Sequence, residues 1–383
     1  MKVLIVVTHL LGTGHLARAL TLGRAFAAGG HEVRVVSGGM PAHQFDHSPA
    51  ELVQLPPLRS DGTNFTRLLD ETGKPADDGV MAMRQSGLIN ALTPAPDILI
   101  TELFPFGRRI LAPEFLALLQ AASALPRAPV ILASVRDILA PPSKPSKAVR
   151  ADEIIDQYYN GVLVHSDPRS TRLEQSWPVS KALEARLIYT GYVAAPAAGP
   201  HPEQLGQDEV LVSAGGGGVG TSLFETALGA ARLMPDHCWR LLPGGVDARE
   251  RVAALKDLDP PDRTIIEPAR PEFRQMLHHA AASVSMCGYN TALDLMQAGT
   301  PAVLVPFDDG QEVEQTLRAQ SLGEMEGMTV LRNAELSPET LCLAIKQVMK
   351  APKRAPSDLG GGLNFDGAKQ SVNLAVAMAE NRV

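Results

Sequence analysis

Short apolar runs alternate with helix-length segments along this chain. The runs are rich in Val, Ile and Leu at successive positions, which is typical of strands that are buried on both faces of a parallel sheet. The predicted strands are 3–7, 32–37, 97–101, 129–134, 161–165, 186–190, 209–213, 238–242, 263–266, 282–286 and 302–306. Their alternation with helices predicts an α/β fold with doubly wound parallel sheets.

One segment interrupts this alternation. Residues 192–209, YVAAPAAGPHPEQLGQDE, are rich in Ala, Pro and Gly and have no periodicity, as in a linker. We therefore predict a Rossmann-like domain over 1–195, a linker over 196–208 and a second Rossmann-like domain over 209–363. Residues 364–383 are expected to form an amphipathic helix that packs back on the N-terminal domain. Ligands of such sheets bind beyond the carboxyl ends of the strands, so two facing halves predict a cleft between them.

Composition narrows the classes of protein to consider. A length of 383 residues suits two domains, and a net charge of −7 predicts no nucleic-acid partner. Three cysteines without a CxxC pattern, and no apolar segment of membrane-spanning length, favour a cytoplasmic protein. Local basic patches leave peripheral contact with an inner membrane face open, and the sequence does not fix the oligomeric state.

A glycine-rich turn follows the first strand of each half. In the second half the turn is Gly215-Gly216-Gly217-Gly218, where backbone N–H groups could approach a phosphate; the alternative is a flexible turn without a ligand. In the first half, Gly12 and Gly14 permit a tight turn before His15. A histidine there can act as a base or an anion contact, or it can merely cap the helix. Arg18, one turn later, could add a cation.

A second cluster begins at Gly288. The helix predicted after it has free N–H groups that favour an anion, and Asp294 on the same helix could accept hydrogen bonds from sugar hydroxyls. Glu314 and Gln315 begin another predicted helix and could also bind hydroxyls, with a solvated helix start as the alternative. Asp308 and Asp309 have no evident third ligand, so no catalytic metal is expected.

Three predicted strands of the first half end in polar residues: Glu102, then Arg136 with Asp137, then His165 with Asp167. Each set could be a structural salt bridge. Because carboxyl ends of parallel strands share one edge, the three together indicate a site.

These pieces, in this order, resemble the GT-B glycosyltransferases of family 28, the branch that holds the lipid I N-acetylglucosaminyltransferases. The matching motifs are Gly12-Thr13-Gly14-His15, Gly288-Tyr289-Asn290-Thr291-Ala292-Leu293-Asp294, Ala298-Gly299-Thr300-Pro301, Val305-Pro306 and Glu314-Gln315. Two stretches, roughly 40–95 and 138–160, have no counterpart in the family pattern.

The resemblance implies a nucleotide-sugar donor, with UDP as the expected carrier, held mainly by the C-terminal half. By it, Gly216, Gly217, Gly288 and Thr291 line the diphosphate, with Gly14 and Asn290 also in the donor site. Asp294 binds the ribose, Gln315 or Glu314 binds the sugar, and the backbone at Ala269 and Arg270 faces the base. Two departures matter: the family has Glu where this chain has Asp294, and the loop 308–314 has one extra residue, which leaves the Glu314/Gln315 assignment uncertain by one position.

The implied reaction is an inverting transfer to a hydroxyl of a small-molecule, lipid or glycan acceptor, with no cofactor and no essential metal. The candidate bases are His15, Glu102 and Asp137, in that order. Alternatives on the same architecture are a nucleotide-sugar hydrolase, a nucleotide-sugar 2-epimerase and a non-catalytic nucleotide-sugar-binding protein.

Overall fold

The computed structural model describes residues 1–42, 45–62, 64–215, 219–245, 247–308, 313–352 and 362–382, with the backbone alone for Asn64 and Phe65. The chain divides into two compact units. The first is Met1–Ala195 together with Asn364–Val383, and the second is Pro196–Leu363.

Each unit is built on one sheet. The strands are β1 (Lys2–Val7), β2 (Glu32–Gly39), β3 (Glu51–Asp61), β4 (Asn64–Leu69), β5 (Ile98–Glu102), β6 (Val130–Arg136), β7 (Gly161–His165), β8 (Leu187–Tyr189), β9 (Glu209–Ser213), β10 (Cys238–Leu242), β11 (Thr264–Ile266), β12 (Ala282–Ser285), β13 (Ala302–Leu304) and β14 (Met328–Val330). The first sheet has the order β4-β3-β2-β1-β5-β6-β7-β8, and the second has the order β11-β10-β9-β12-β13-β14. The paired strands are parallel except for β3 with β4.

Helices connect the strands. They are α1 (Gly14–Ala28), α2 (Asp78–Asn90), α3 (Ala112–Ser123), α4 (Pro145–Tyr158), α5 (Lys181–Glu184), α6 (Thr221–Leu233), α7 (Ala248–Lys256), α8 (Phe273–Met276), α9 (Tyr289–Ala298), α10 (Glu314–Gly323), α11 (Pro338–Val348) and α12 (Gly367–Glu380), with short 3₁₀ turns at Arg109–Leu111, Leu173–Gln175 and Asn333–Glu335. All eleven predicted strands overlap an observed strand, which confirms the α/β prediction.

The central strand β1 shows why the apolar runs are continuous. Leu4 and Val6 belong to the hydrophobic core on one face of the first sheet, whereas Val3, Ile5 and Val7 belong to the core on the other face. Successive side chains of a strand point to opposite faces, so a strand covered on both sides needs an apolar residue at every position.

Strand order reverses at one place in each sheet. In the first sheet β1 lies between β2 and β5, and in the second β9 lies between β10 and β12. At these places the connections leave in opposite directions, and a crevice opens beyond the carboxyl ends of the two strands. The turn before α1 follows β1, and the glycine-rich turn follows β9, so both turns that the sequence singled out lie at a reversal point.

The stretch without a family counterpart, 40–95, forms β3, β4 and α2 at one edge of the first sheet. The sequence did not predict β3, because Pro56 and Pro57 lie inside it and proline cannot donate a ladder hydrogen bond. Arg84 of α2 holds this edge in place. Its buried guanidinium binds both oxygens of Glu114 and donates to the carbonyls of Gly38 and Pro56.

Residues 196–208, predicted as a linker, lie against the second unit. The Pro196 carbonyl accepts a hydrogen bond from Arg274 at 2.8 Å, and the His201 carbonyl lies 3.0 Å from Nε2 of His279. The last helix, α12, packs on α1 of the first unit and contributes Val372, Ala375 and Ala379 to its core. In the described part of the chain, no helix has the length and apolarity to cross a bilayer.

We expect Ile5→Ala to lower the free energy of unfolding by about 2–5 kcal/mol, because Ile5 is fully buried and truncation leaves a cavity. Urea denaturation would measure this effect. Val149→Ala is the matched control, because Val149 is 58% exposed on α4, and it should change stability by less than about 0.5 kcal/mol. Equal effects of the two substitutions would contradict the core position of β1.

Candidate active site

The reversal point of the first sheet brings together His15 and Glu102, which are 87 positions apart in the sequence. His15 is the second residue of α1, the helix that follows β1, and Glu102 is the last residue of the neighbouring strand β5. Nδ1 of His15 lies 2.8 Å from Oε1 of Glu102. The carboxylate is 1% exposed, whereas the histidine side chain retains 12% exposure.

Two further side chains donate hydrogen bonds to the Glu102 carboxylate. Arg18, one turn after His15 on α1, pairs with Oε1 through Nη2 and reaches Oε2 through Nε at 3.4 Å. Ser134 lies opposite Glu102 in the β5–β6 pairing and donates its hydroxyl to Oε2 at 2.6 Å. Glu102 is thus a buried carboxylate whose negative charge is compensated by the Arg18 cation and by hydrogen-bond donors from α1 and β6.

Burial by itself would raise the pKa of the Glu102 carboxyl, but the charge of Arg18 and the hydrogen bond from His15 outweigh it and hold this pKa far below its usual range. Burial also dominates at His15, where it lowers the pKa to about 3 against the raising effect of Glu102. At neutral pH the pair therefore consists of an ionised glutamate and a neutral histidine.

These charge states fix the tautomer of His15. An ionised carboxylate only accepts hydrogen bonds, so Nδ1 at 2.8 Å from Oε1 must carry the ring proton. The 3.1 Å approach of Arg18 Nη2 to the same nitrogen is then a contact beside the Glu102 bond. The lone pair is left on Nε2, which has no hydrogen-bond partner among the described residues. A neutral imidazole oriented by a carboxylate in this way is suited to accept a proton.

Arg108 adds positive charge beside this pair. Its backbone has φ of 57°, in the left-handed region that non-glycine residues rarely adopt, and its Nε donates to the carbonyl of Thr8 at 2.5 Å. Within the described ranges, its Nη groups have no hydrogen-bond partner. Burial lowers the pKa of Arg108 to about 10, partly offset by the charge of Glu102, so the guanidinium stays charged at neutral pH.

The reversal point of the second sheet brings Gly215, the first glycine after β9, next to the start of α9. Gly215 has φ of +77°, and a Cβ at this position would lie 3.8 Å from Oγ1 of Thr291. Gly220, before α6, has φ of +89°, and a Cβ there would lie 2.6 Å from Cβ of Ala214. Glycine is therefore required at Gly220 for both backbone conformation and space. Gly215 thus lies beside the start of α9, and helix starts favour anions.

Asp294 lies on α9, one turn after Asn290 and Thr291. Arg274 donates to its Oδ1 at 2.7 Å, and in the described part of the chain no donor reaches Oδ2. Burial raises the pKa of Asp294 to about 6, although Arg274 opposes the shift. Above that pH the carboxylate is ionised, with Oδ2 as its oxygen that lacks a donor among the described residues.

The remaining candidates of the second unit have structural partners. Arg270 forms ion pairs with Glu267 and Glu272 at 3.2 and 3.3 Å. Oε1 of Gln315 accepts the backbone N–H of Phe307 at 3.1 Å, which leaves its amide N–H groups for a ligand. Glu314 is the first residue of α10 and is half-buried.

A family model named the glycosyltransferase family 28 C-terminal domain matches residues 248–359. The matched residues run from α7 to beyond α11 of the second unit. They include seven residues predicted for the donor site: Arg270, Gly288, Asn290, Thr291, Asp294, Glu314 and Gln315. The resemblance that the sequence motifs indicated is thereby confirmed.

Curated relatives carry the name UDP-N-acetylglucosamine–N-acetylmuramyl-(pentapeptide) pyrophosphoryl-undecaprenol N-acetylglucosamine transferase. The protein from Brucella anthropi is 30% identical over 177 residues, which cover 44% of this chain and 46% of that enzyme. The protein from Brucella canis is 26% identical over 215 residues, which cover 53% of this chain and 57% of that enzyme. The chain spans about half the length of the curated relatives it matches.

Solved structures show that the likeness in fold extends beyond the matched residues. MurG of Acinetobacter baumannii superimposes with a TM-score of 0.65 at 15% identity, covering 99% of this chain and 100% of that one. The calicheamicin glycosyltransferase CalG4 gives a TM-score of 0.61 at 17% identity, covering 100% and 97%. The glycosyltransferase VinC, solved with dTDP, gives 0.62 at 15% identity, with full coverage of both chains. The predicted GT-B fold is confirmed.

The sequence predictions for the site have unequal outcomes in the structure. His15 and Glu102 lie together, whereas Asp137 is buried after β6 and is not hydrogen-bonded to either of them. Gly216 and Gly217 lie outside the described residues. Gly14 begins α1 and is exposed, with open space where a Cβ would lie. Among the described residues, no cluster of three or more His, Cys, Asp or Glu side chains could hold a metal.

Sequence reasoning missed Ser134, Arg108 and Arg274. Ser134 lies inside an apolar strand, and only the β5–β6 register shows that it faces Glu102. Arg108 is one of two adjacent arginines after β5, and no motif marks it. Arg274 lies 20 positions before Asp294, and no local pattern links the two.

The free energy of unfolding should fall as pH is lowered from about 6.5 toward 3, partly because of His15. The unfolded chain takes up a proton on this histidine near pH 6.5, and the folded chain does so only near pH 3. Stability is therefore lost at roughly 1.4 kcal/mol per pH unit for this group. His15→Gln removes the titration. Urea denaturation at pH 7.5 and 4.5 should show a smaller loss for the variant than for the wild type, and equal losses would contradict a buried neutral His15.

Proposed function

We propose that the protein is a glycosyltransferase that moves a sugar from a UDP-sugar donor to an acceptor hydroxyl, with inversion at the anomeric carbon and without an essential metal. The observation that carries the proposal is the His15–Glu102 pair. It supplies an oriented neutral base at the reversal point of the first sheet, in a chain whose second unit matches the family 28 C-terminal domain model.

In the proposed reaction, Nε2 of His15 takes the proton from the acceptor hydroxyl as its oxygen attacks the anomeric carbon. The imidazolium formed is stabilised by Glu102, which accepts from its Nδ1–H. The bond between the anomeric carbon and the diphosphate breaks, and the nucleoside diphosphate leaves with the electron pair. Attack from the side opposite the leaving group inverts the configuration.

Donor binding is assigned to the second unit. The diphosphate would lie at the start of α9 with Gly288, Asn290 and Thr291, and the ribose would lie against the free oxygen of Asp294. Arg318 of α10 supports this placement, because its buried guanidinium donates to the Cys287 carbonyl at 3.1 Å, beside the helix start. Fixed N–H groups and this cation would stabilise the charge on the leaving group in place of a metal.

The acceptor is assigned to the first unit, and we propose that it carries an anionic group. Support comes from Arg108, a guanidinium near His15 whose Nη groups have no hydrogen-bond partner in the described residues. The names of the curated relatives describe transfer to a pyrophosphoryl-undecaprenol acceptor. A lipid-linked acceptor of this kind would also bring the protein to a membrane surface as a peripheral protein.

A transfer assay with the wild type and two variants tests the function. The protein would be incubated with UDP-sugars and hydroxyl acceptors, with and without EDTA, and UDP and glycoside would be quantified. We expect equimolar UDP and glycoside, unaffected by EDTA. His15→Ala should lower kcat by about 100-fold or more, the usual contribution of a general base, with a much smaller change in donor Kd. Glu102→Gln should lower kcat in the same way.

The other outcomes of this assay separate the alternatives. Stoichiometric release of free sugar without any acceptor would replace the proposal with nucleotide-sugar hydrolysis. Tight nucleotide binding without turnover across the acceptor panel would indicate a non-catalytic nucleotide-sugar-binding protein.

The role of Asp294 can be tested through the ribose. Asp294→Ala should weaken UDP binding by about 1–3 kcal/mol, because it leaves ribose hydroxyls without a partner. The preference for UDP over 2′-deoxy-UDP in isothermal titration calorimetry should shrink with it. Asp236→Ala is the control, because Asp236 lies exposed just before β10, at the amino edge of the same sheet. An unchanged UDP preference in Asp294→Ala would place the carboxylate away from the ribose.

A further inference from the structure

A line of buried polar side chains runs from Glu102 into the first unit, away from His15. The Ser134 hydroxyl lies 2.6 Å from Oε2 of Glu102 and 2.9 Å from Nε2 of His165. Nδ1 of His165 lies 2.9 Å from Oγ1 of Thr190. Ser134 and His165 are 0% exposed and Thr190 is 1% exposed. The proposed role of His15 as a base does not by itself explain why these polar side chains are buried beyond Glu102.

The charge on Glu102 determines where the protons lie along the line. Because the ionised carboxylate only accepts, the single hydrogen of the Ser134 hydroxyl points to Oε2. Nε2 of His165 must then donate to Ser134, which makes His165 an Nε2–H tautomer. Burial lowers the pKa of His165 to about 3, so the ring is neutral and its Nδ1 carries the lone pair. Oγ1 of Thr190 lies 2.9 Å from this nitrogen and also 2.9 Å from the carbonyl of Gly191. The hydrogens of His165 Nε2 and of the Ser134 hydroxyl therefore both point toward Glu102.

Glu102 needs this support because Arg18 competes for it. A guanidinium prefers to bind both oxygens of a carboxylate in parallel. Here Arg18 pairs with Oε1, but its Nε is 3.4 Å from Oε2, while the Ser134 oxygen is 2.6 Å from that atom. Ser134 therefore holds Oε2 away from a full fork with Arg18, and Oε1 remains within 2.8 Å of His15.

We propose that Ser134 and His165 are positioning residues that keep the Glu102 carboxylate turned toward His15, and so keep His15 in the Nδ1–H tautomer that a base requires. The catalytic consequence rests on the proposed function, whereas the tautomer does not. The charged groups that act on His15 are Glu102 of β5, Arg18 of α1 and Arg108 of the segment after β5. Arg18 and Glu102 also act on His165.

Nitrogen-15 NMR of the histidine-labelled full-length protein at pH 7.5 tests the tautomers directly. The ring signals would be assigned by their loss in His15→Gln and His165→Gln. In the wild type we expect a protonated Nδ1 on His15 and a protonated Nε2 on His165. Ser134→Ala should turn His15 into a mixture of tautomers, because free imidazole does not require Nδ1–H. Nδ1–H retained in full on His15 of this variant, with native unfolding stability, would overturn the proposal.

Two substitutions of His165 provide a matched pair. The side-chain nitrogen of Gln can reach the place of Nε2 and donate to Ser134, whereas that of Asn reaches only the place of Nδ1. His165→Gln should keep the Nδ1–H tautomer of His15, and His165→Asn should lose it. Both variants remove the same titrating ring, so a general loss of packing would affect them alike. Equal His15 spectra in the two variants would contradict a donor role for His165.

Steady-state kinetics tests whether the positioning of Glu102 by Ser134 and His165 affects turnover. With a working transfer assay, Ser134→Ala and His165→Asn should lower kcat by about 10-fold and leave donor KM within about 2-fold, while His165→Gln should stay near the wild type. If the His15 tautomers change as described but no transfer is found with any donor, the proposed function is wrong and the positioning role of Ser134 and His165 is retained. If transfer is found and all three variants match the wild type in kcat, the positioning role in catalysis is wrong.

Discussion

A carboxylate buried at the end of a central parallel strand costs several kcal/mol unless donors surround it, and Glu102 is such a group. The structure meets this constraint from three elements: β5 supplies the carboxylate, α1 supplies Arg18 and His15, and β6 supplies Ser134. The electrostatic demand of one acid thereby fixes the start of α1 against the sheet. The Glu102 carboxylate also orients His15, and burial keeps that histidine neutral; the proposed chemistry uses both properties.

In both units the candidate site lies where the strand order reverses. The groups that form the two sites differ. In the first unit, buried side chains compensate one another and leave the Nε2 lone pair of His15 for a ligand. In the second, the starts of α6 and α9, after Gly220 and Gly288, offer backbone N–H groups, with Asp294 held on one side by Arg274. A neutral base suits a hydroxyl acceptor, and an array of N–H groups suits a diphosphate.

Arg18 stabilises Glu102 and weakens it as a partner of His15, because the guanidinium draws on the same carboxylate. The low pKa of His15, about 3, comes mainly from burial; the charges of Arg108 and Arg18 add to the lowering, and Glu102 opposes it. The enzyme proposed here would therefore keep its base unprotonated over the whole physiological pH range. A histidine with so low a pKa binds a proton weakly. Proton transfer from the acceptor hydroxyl must therefore be favoured by the orientation of Nε2 and by the charge that develops on the acceptor oxygen.

The sequence by itself determined eleven of the strands and the glycine turns that follow β1 and β9, because a strand buried on both faces must be apolar throughout and a tight turn after it favours glycine. His15, Glu102 and Asp294 could be named in this way, since strand ends and helix starts are local features. Only the tertiary structure decided which of them meet: Asp137 and Glu102 both follow apolar strands, yet only Glu102 contacts His15. Strand register placed Ser134 on Glu102 and packing placed Arg274 on Asp294, and contacts between residues far apart in sequence leave no local pattern to read.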